Sequence, residues 1–207
     1  MKDVEYTIQK RSENMDWDQV PVLKIDQVLW LEDAGIRAEG QLCYDEEGLY
    51  VHMGATEENI RAEYTEPLSP VFCDSCLEFF FMVEGEENYF NFEVNPNCCM
   101  TIQYGKEERF DIVRENSKEY FDITTARTED GWEVYFKIPA AFIRLFHKEF
   151  NFDRGILANM YKCGNDTVQR HFLAWRPIDT ERPNFHAPEY FGKMEFSGAK
   201  TLKKRDF

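Results

Sequence analysis

The sequence predicts an all-β fold, an antiparallel β-sandwich of jelly-roll or immunoglobulin-like type with one or two short helices. Three observations support this prediction. Segments with alternating apolar and polar residues recur along the chain, turn-forming residues separate them, and one stretch has a helical pattern. Many short strands with little helix are typical of sandwiches and barrels. Because no repeat, low-complexity tract or linker divides the 207 residues, we expect a single domain over residues 1–207.

Three β-hairpins are predicted from their turn signals. They cover residues 41–53, 76–95 and 121–139, with turns at Gly48, at residues 84–88 and at Asp130-Gly131. After Pro139, the segment AAFIRLFHKEF has the pattern of a short helix. Further strands are predicted at GILANMYKC, HFLAW and GKMEF, which are residues 155–163, 171–175 and 192–196.

Alternation within the second hairpin predicts which of its residues share a face. Burying the apolar residues of both strands fixes their register, because a slip of one residue would bury the polar set. The opposite face then carries Glu78, Phe80, Asn91, Glu93 and Asn95, with Glu78 directly across from Glu93 or Asn95. Carboxylates and carboxamides beside aromatic surface suit recognition of a polyhydroxylated ligand. A water-facing sheet surface has a similar composition, so both interpretations stay open.

The segment HFLAWRPIDTERPNFHAPEYFG, residues 171–192, is predicted to be an ordered loop after its first strand. Its three prolines exclude a long helix or a central strand. It nevertheless carries Trp175, Phe185 and Tyr190. These rings could form the wall of a ligand site, where an indole stacks on the apolar face of a sugar ring. They could equally pin a long connection to the sandwich.

The charge of the chain limits its partners. The formal net charge is −15, from 39 acidic and 24 basic residues. A surface of this kind repels a phosphate backbone and an anionic membrane, so we expect neither nucleic acid nor membrane as a partner. The first residues lack the apolar segment of a signal peptide, and no stretch reaches the roughly 20 apolar residues of a membrane span. We therefore expect a soluble cytoplasmic protein, whose oligomeric state the sequence leaves open.

The six cysteines are expected to be reduced core residues rather than a disulfide framework. The motif CDSC, residues 73–76, has the spacing of a redox motif, and with Cys98 and Cys99 it offers a zinc alternative. No second motif of this kind lies near it, and it leads into a strand rather than a helix. We therefore predict no cofactor and no metal ligand from these residues.

The carboxylates of the second hairpin raise an enzymatic alternative. Glu78 and Glu93 on neighbouring strands would lie near the short end of the roughly 5–9 Å that separates the two carboxyl groups of glycosidases. No nucleophile elbow, phosphate loop or metalloprotease helix occurs in the sequence. We therefore assign no catalytic residue.

Six segments in order give the chain a family resemblance. They are YDEEGLYV, PVFCDSCLEFF, YFNFEVNP, DGWEVYFKIP, YKCG and HFLAWRPIDTERPNFHAPEYFGKMEF. Together they resemble the family 9 carbohydrate-binding modules, above all the stand-alone family 9-like proteins of bacteria. The resemblance covers roughly Leu23 to Phe196.

This resemblance implies a β-sandwich related to the DOMON domains, with sugars held between two aromatic rings. Such modules are usually attached to xylanases and similar hydrolases. By position, Trp175 corresponds to one ring and Phe72 to the other, while Glu78 and Asn95 correspond to polar residues of the site. The family's arginine on the YFNFEVN strand is missing here, because Phe90 and Asn91 occupy that region.

Further candidate residues follow from the missing arginine and from their position beside Trp175. Lys162 or Arg170 could replace the missing charge, and His171, His186 or Glu189 could reach sugar hydroxyls beside Trp175. Structural calcium is also implied, since some family members bind it. The acidic residues that could contribute to such a calcium site are Asp45 and Asp74.

The sequence therefore predicts a non-catalytic domain that binds a mono- or oligosaccharide and serves carbohydrate catabolism. A glycoside hydrolase, or an accessory subunit of one, is the alternative, and a haem or redox domain is a third hypothesis by analogy with the DOMON relatives. The predicted ligand-binding residues are Phe72, Glu78, Asn91, Glu93, Asn95, Lys162, Arg170, His171, Trp175 and His186.

Overall fold

The computed structural model describes residues 3–12, 15–114 and 116–198, and in these parts fourteen strands and two short α-helices are present. The strands are β1 Val4–Lys10, β2 Leu23–Ile25, β3 Gln27–Val28, β4 Arg37–Tyr44, β5 Gly48–Thr56, β6 Cys76–Val83, β7 Tyr89–Val94, β8 Met100–Gly105, β9 Arg109–Asp111, β10 Thr124–Arg127, β11 Gly131–Pro139, β12 Ile156–Gly164, β13 His171–Ala174 and β14 Gly192–Phe196. The helices are α1 Ser117–Tyr120 and α2 Ala140–Phe146. Single 3-10 turns lie at Trp17–Gln19, Val71–Cys73 and Pro188–Tyr190.

These strands form two sheets that share β1. The first sheet has the order β1-β14-β12-β6-β7-β8-β9, with β13 paired to β12 and β3 paired to β13. The second has the order β10-β11-β5-β4-β1, with β2 paired to β4. All pairs are antiparallel except those of β1, which runs parallel to β14 and to β4. The predicted all-β sandwich is confirmed, and β1 adds a parallel seam between its sheets.

The three predicted hairpins are confirmed as β4–β5, β6–β7 and β10–β11. Their apolar faces meet between the two sheets, where alternate residues such as Phe79 and Phe81 of β6 lie in one cluster with Val134 and Phe136 of β11. Each large apolar side chain buried there contributes about 1.5–3 kcal/mol to stability. The predicted helix after Pro139 is α2.

A second apolar cluster covers the outer face of the first sheet. Phe80 of β6 and Tyr161 of β12 lie in it together with Ile178, Ala187 and Phe191 of the loop that follows β13. The loop is therefore packed on the sheet along much of its length. This agrees with the interpretation that its aromatic rings pin a long connection to the sandwich. The outer face of β6, β7 and β12 is consequently not a water-facing surface, and polar residues on it are buried.

No helix in the described ranges has the length and apolar character that a membrane crossing needs. All six cysteines are unpaired thiols. Cys73 and Cys98 are half-buried and the other four are buried.

Candidate functional site

A cavity of about 280 Å³ opens between the outer face of the first sheet and the loop that covers it. Five of the predicted ligand-binding residues line it: Phe72, Glu78, Glu93, Arg170 and His186. Phe185, a ring that the sequence offered for the wall of a ligand site, lines it as well. The other lining residues were not predicted to bind a ligand, and they are Trp30, Cys163, Asn165, Phe172, Pro183 and Asn184.

Two carboxyl groups form the polar floor of the cavity. Glu78 lies directly across from Glu93 in the β6–β7 register, as alternation predicted. Their side chains are almost fully buried, with residue exposures of 2% and 6%. The Cys163 thiol donates to Glu78 Oε1 at 2.9 Å, and Asn91 Nδ2 donates to Glu93 Oε1 at 2.8 Å. The floor thus holds each carboxyl group in a fixed orientation.

Burial changes the protonation of these two groups. Loss of hydration raises the pKa of Glu93 to about 7, and it raises the pKa of Glu78 well above its ordinary value, with further contributions from Cys163 and Glu93. A protonated carboxyl group can donate as well as accept a hydrogen bond. The floor therefore offers both donors and acceptors to a ligand near neutral pH.

Aromatic rings form the walls of the cavity. Phe185 stacks flat on Tyr161, with ring centroids 4.1 Å apart and an interplanar angle of 7°. Trp30 packs against Phe185 at 5.7 Å and against Phe172 at 5.6 Å. Its backbone has a left-handed φ of 58°, and its indole N–H donates to the Thr180 carbonyl at 2.8 Å, which ties it to the covering loop.

The ring of Phe72 is more accessible than the others. It is 42% exposed and lies in the short turn before β6. The backbone of this turn is anchored, because Asn165 N donates to the Phe72 carbonyl at 3.1 Å and Asp166 N donates to the Cys73 carbonyl at 3.1 Å. Phe72 therefore presents a positioned apolar surface at the cavity.

The rim of the cavity supplies further polar groups. The Oδ1 atom of Asn165 is buried, and no hydrogen-bond donor reaches it from the described residues. The Arg170 guanidinium lies 5.2 Å from the Phe172 ring centroid. Because an unsatisfied buried acceptor costs about 1–3 kcal/mol, a ligand hydroxyl at Asn165 would gain a strong partner.

Three of the predicted ligand residues lie on the other face of the sheet. In β12 and β13, Lys162 and His171 alternate with Cys163 and Phe172, so they point away from the cavity. Trp175 follows the same parity and packs against the cluster between the sheets. A Cβ atom at Gly192 would come within 2.7 Å of the Trp175 ring, which shows how closely it packs on β14.

Lys162 and His171 belong to a buried polar group around Glu57. Lys162 is fully buried, and its ammonium lies 3.0 Å from Glu57 Oε2 and 2.7 Å from His171 Nε2. Ser75 donates to Glu57 Oε1 at 2.8 Å, and Trp132 donates to Glu57 Oε2 at 3.3 Å. This network ties the segment before β6 to β11 and β12.

Asn95 and Asp74 organise the segment between β5 and β6. Asp74 Oδ2 accepts from Asn95 Nδ2 at 2.9 Å, from Glu63 N at 2.9 Å and from Tyr64 N at 3.0 Å, while Oδ1 pairs with Arg61. A cation and three N–H donors thus surround this carboxylate, which does not fit a calcium ligand.

Asp45, the second candidate for calcium, lies in the turn between β4 and β5. Its Oδ1 accepts from the backbone N–H groups of Glu47 and Gly48, and its Oδ2 accepts from the Tyr50 hydroxyl. These bonds are those of a turn residue. The calcium implied by the family resemblance therefore has no fitting donor set at either aspartate.

A larger depression of about 490 Å³ lies on the outer face of the second sheet. Its charged groups are paired with each other or with neighbours, as in Lys24 with Glu39 at 2.5 Å and Arg37 with Asp33 at 2.7 Å. The smaller cavity combines aromatic walls, an unsatisfied amide oxygen and two buried carboxyl groups. It is therefore the better candidate for ligand binding.

His186 should make the fold sensitive to acid. Burial, together with the charge of Arg109, lowers the pKa of His186 to about 4, from an ordinary value of 6.5. Below pH 6.5 the imidazole of His186 is protonated in the unfolded chain but stays neutral in the folded chain. The free energy of unfolding therefore decreases as the pH falls from 6.5 to 4. Since one pKa unit equals about 1.4 kcal/mol, this loss should amount to roughly 2–3 kcal/mol.

Urea denaturation at a series of pH values measures this effect. The variant His186→Gln keeps a polar partner for the Tyr89 hydroxyl, which lies 2.9 Å from His186 Nδ1. The difference in unfolding free energy between the two proteins should shrink as the pH falls from 6.5 to 4. A difference that stays constant over this range would show that His186 titrates normally in the folded state.

Comparison with known proteins agrees with this architecture. The family model described as carbohydrate-binding family 9 matches residues 9–196. A protein of Bacteroides uniformis described as carbohydrate-binding has a similar structure, with a TM-score of 0.80 and 23% sequence identity, covering 95% of this chain and 100% of the other. No curated protein matches this sequence significantly.

Two structures of a family 9 carbohydrate-binding module from Caldicellulosiruptor kristjanssonii are also similar, each at 14% identity. The complex with cellotriose has a TM-score of 0.64 and covers 95% of both chains. The complex with glucose has a TM-score of 0.63 and covers 96% of this chain and 98% of the other. At this level of identity the likeness concerns the fold.

Proposed function

The chain belongs to carbohydrate-binding family 9, and on this premise we propose that the cavity over β6, β7 and β12 binds a mono- or oligosaccharide. The observation that carries the proposal is the composition of this cavity. Its walls are aromatic and include Trp30 and Phe72, and its floor holds Glu78 and Glu93. This composition supports the proposal that sugar is bound at the cavity.

The two kinds of lining match the two kinds of surface on a sugar ring. The apolar C–H face of the ring packs on an aromatic wall, and its hydroxyls need both donors and acceptors. These donors and acceptors are supplied by the carboxyl groups of Glu78 and Glu93, the Oδ1 atom of Asn165 and the guanidinium of Arg170. A hydroxylated ligand would satisfy the buried Oδ1 atom of Asn165, which no donor among the described residues reaches.

The size of the cavity favours a small ligand. Pockets that enclose drug-sized molecules have volumes of roughly 300–1,000 Å³, and this cavity has about 280 Å³. A monosaccharide, or the end of an oligosaccharide, suits this space better than the middle of a long chain. We propose that the protein serves carbohydrate breakdown by holding such sugars.

The hydrolase alternative is less consistent with the geometry. A glycosidase places its two carboxyl groups on either side of the scissile bond. Glu78 and Glu93 instead lie side by side on one sheet face, directly opposed across β6 and β7. Both would approach a bound sugar from the same side, which suits hydrogen bonding rather than acid and nucleophile roles.

A thermal-shift screen against mono- and oligosaccharides tests the proposal. At 100 times the dissociation constant, a ligand should stabilise the folded state by about 2.7 kcal/mol, which raises the midpoint measurably. Incubating the protein with chromogenic glycosides tests for turnover, and an absorption spectrum tests the haem alternative. Absence of any shift at millimolar sugar, with all classes tried, would overturn the proposal, and a Soret band would favour haem.

A further inference from the structure

Three potential metal ligands meet at the floor of the cavity. Cys76 of β6 lies directly across from Cys163 of β12, and Glu78 lies two residues after Cys76 on the same face. One ligand atom from each of the three residues lies within 4.8 Å of the others. All three residues are buried, with exposures of 0%, 1% and 2%. A single ion could therefore contact all three.

We propose that Cys76, Cys163 and Glu78 bind a thiophilic divalent cation, Zn²⁺, with one coordination position open to the cavity. Two thiolates and one carboxylate form a donor set that zinc prefers, and zinc with three protein ligands keeps its fourth position for water or substrate. On binding, the two thiols and any protonated carboxyl group release their protons to solvent, and two Zn–S bonds and one Zn–O bond form.

The geometry needs little adjustment. Zn–S bonds of about 2.3 Å in a tetrahedral arrangement place two sulfur atoms about 3.8 Å apart. The present separations of at most 4.8 Å can close to this value by small rotations of side chains. Adjacent antiparallel strands already fix the spacing of the three Cα atoms.

The ligand atoms already face one another. Without an ion, the Cys163 thiol donates to Glu78 Oε1 at 2.9 Å. A divalent cation would take the place of this proton and contact both groups. The ammonium of Lys162, on the other face of the sheet, is paired with Glu57.

The site is accessible from the cavity, since Glu78 and Cys163 both line it. It differs from the zinc alternative considered from the sequence, which joined the CDSC motif to Cys98 and Cys99. Cys99 instead donates to the Glu66 carbonyl at 2.9 Å, and Cys98 lies 3.3 Å from the Thr125 hydroxyl. The partner of Cys76 is Cys163, which lies 87 residues away in sequence and is invisible to motif spacing.

Titration of the reduced, full-length protein with Co²⁺ tests the proposal, because cobalt bound by thiolates has a charge-transfer absorption that zinc then displaces. We expect one equivalent to bind. The substitutions C76S and C163S each remove a direct ligand. They should weaken metal binding by more than the roughly 10–100-fold that is lost when a residue hydrogen-bonded to a ligand is changed. The matched control C99S changes a cysteine of the same apolar cluster and should bind as the wild type.

Alkylation in mild urea, where transient opening of the fold exposes buried thiols, gives a second measurement that needs no variant when it is read by mass spectrometry. Saturating Zn²⁺ should protect Cys76 and Cys163 and leave the labelling of Cys73 unchanged. The proposal fails if the wild type shows no thiolate charge-transfer band, or if C99S loses binding as C163S does. It also fails if Cys76 and Cys163 form a disulfide that the reductant does not open. Because the metal alone is the probe, a failure of sugar binding would leave these results unaffected.

Discussion

Replacing Lys162 by Met should lower the free energy of unfolding by about 3–5 kcal/mol, the cost of breaking a buried ion pair from one side. Lys162 is fully buried and lies 3.0 Å from Glu57, whose side chain is 2% exposed. Met matches the length of the Lys side chain without its charge. Among the described residues, Ser75 and Trp132 would then be the side chains that donate to the buried carboxylate of Glu57.

Urea denaturation of three variants separates the ion pair from simple packing. Adding Glu57→Gln to Lys162→Met removes the stranded charge, so the double variant should be more stable than the sum of the single changes predicts. The control Lys24→Met breaks a solvent-exposed pair with Glu39 and should cost about 1 kcal/mol or less. If Lys162→Met is no more harmful than this control, the network around Glu57 contributes little to the fold.

The sequence was sufficient for the parts of the fold that depend on local pattern. Hairpin turns such as Asp130-Gly131 and alternation within β6 and β7 located these strands and placed Glu78 across from Glu93. Strand β1 was not predicted, although Tyr6 and Ile8 alternate with polar residues in the manner of a half-buried strand. Its parallel pairing joins residues near opposite ends of the chain, which no local pattern encodes.

The candidate site shows the same division between local and distant information. Alternation identified the polar face of β6 and β7 but not the loop that covers it. This face has the composition of a solvent-exposed surface, yet it is buried. Because side chains alternate along β13 and the residue after it, Phe172 and Trp175 lie on opposite faces of the sheet. Which of these faces borders the cavity is known only from the pairing of β13 with β12. Trp30 reaches the cavity from a segment that has no strand or motif signal and depends on a long-range bond to Thr180.

Replacing Phe72 by Ala should weaken sugar binding by about 30-fold, which corresponds to the roughly 2 kcal/mol lost when a central aromatic anchor is removed. Its ring lines the cavity and is 42% exposed, so little packing within the protein is lost. The midpoint of thermal unfolding without ligand should therefore stay close to that of the wild type. Phe110→Ala is a matched control, because Phe110 is 54% exposed and lies on β9, outside the cavity lining.

Trp175→Ala should have the opposite profile. Its ring packs on Gly192 and on the cluster between the sheets, so we expect a loss of up to about 3 kcal/mol in stability, with sugar affinity nearly unchanged. Calorimetric titration of both variants with the sugar found in the screen, at a temperature where both are folded, measures this contrast. If Trp175→Ala abolishes binding while Phe72→Ala leaves it intact, the ligand lies on the Trp175 side of β13. Lys162 and His171 would then bind the ligand, as predicted from their position beside Trp175. If only Phe72→Ala weakens binding, the two faces of β13 have separate tasks: the inner face stabilises the sandwich, and the outer face, with Phe172, belongs to the sugar site.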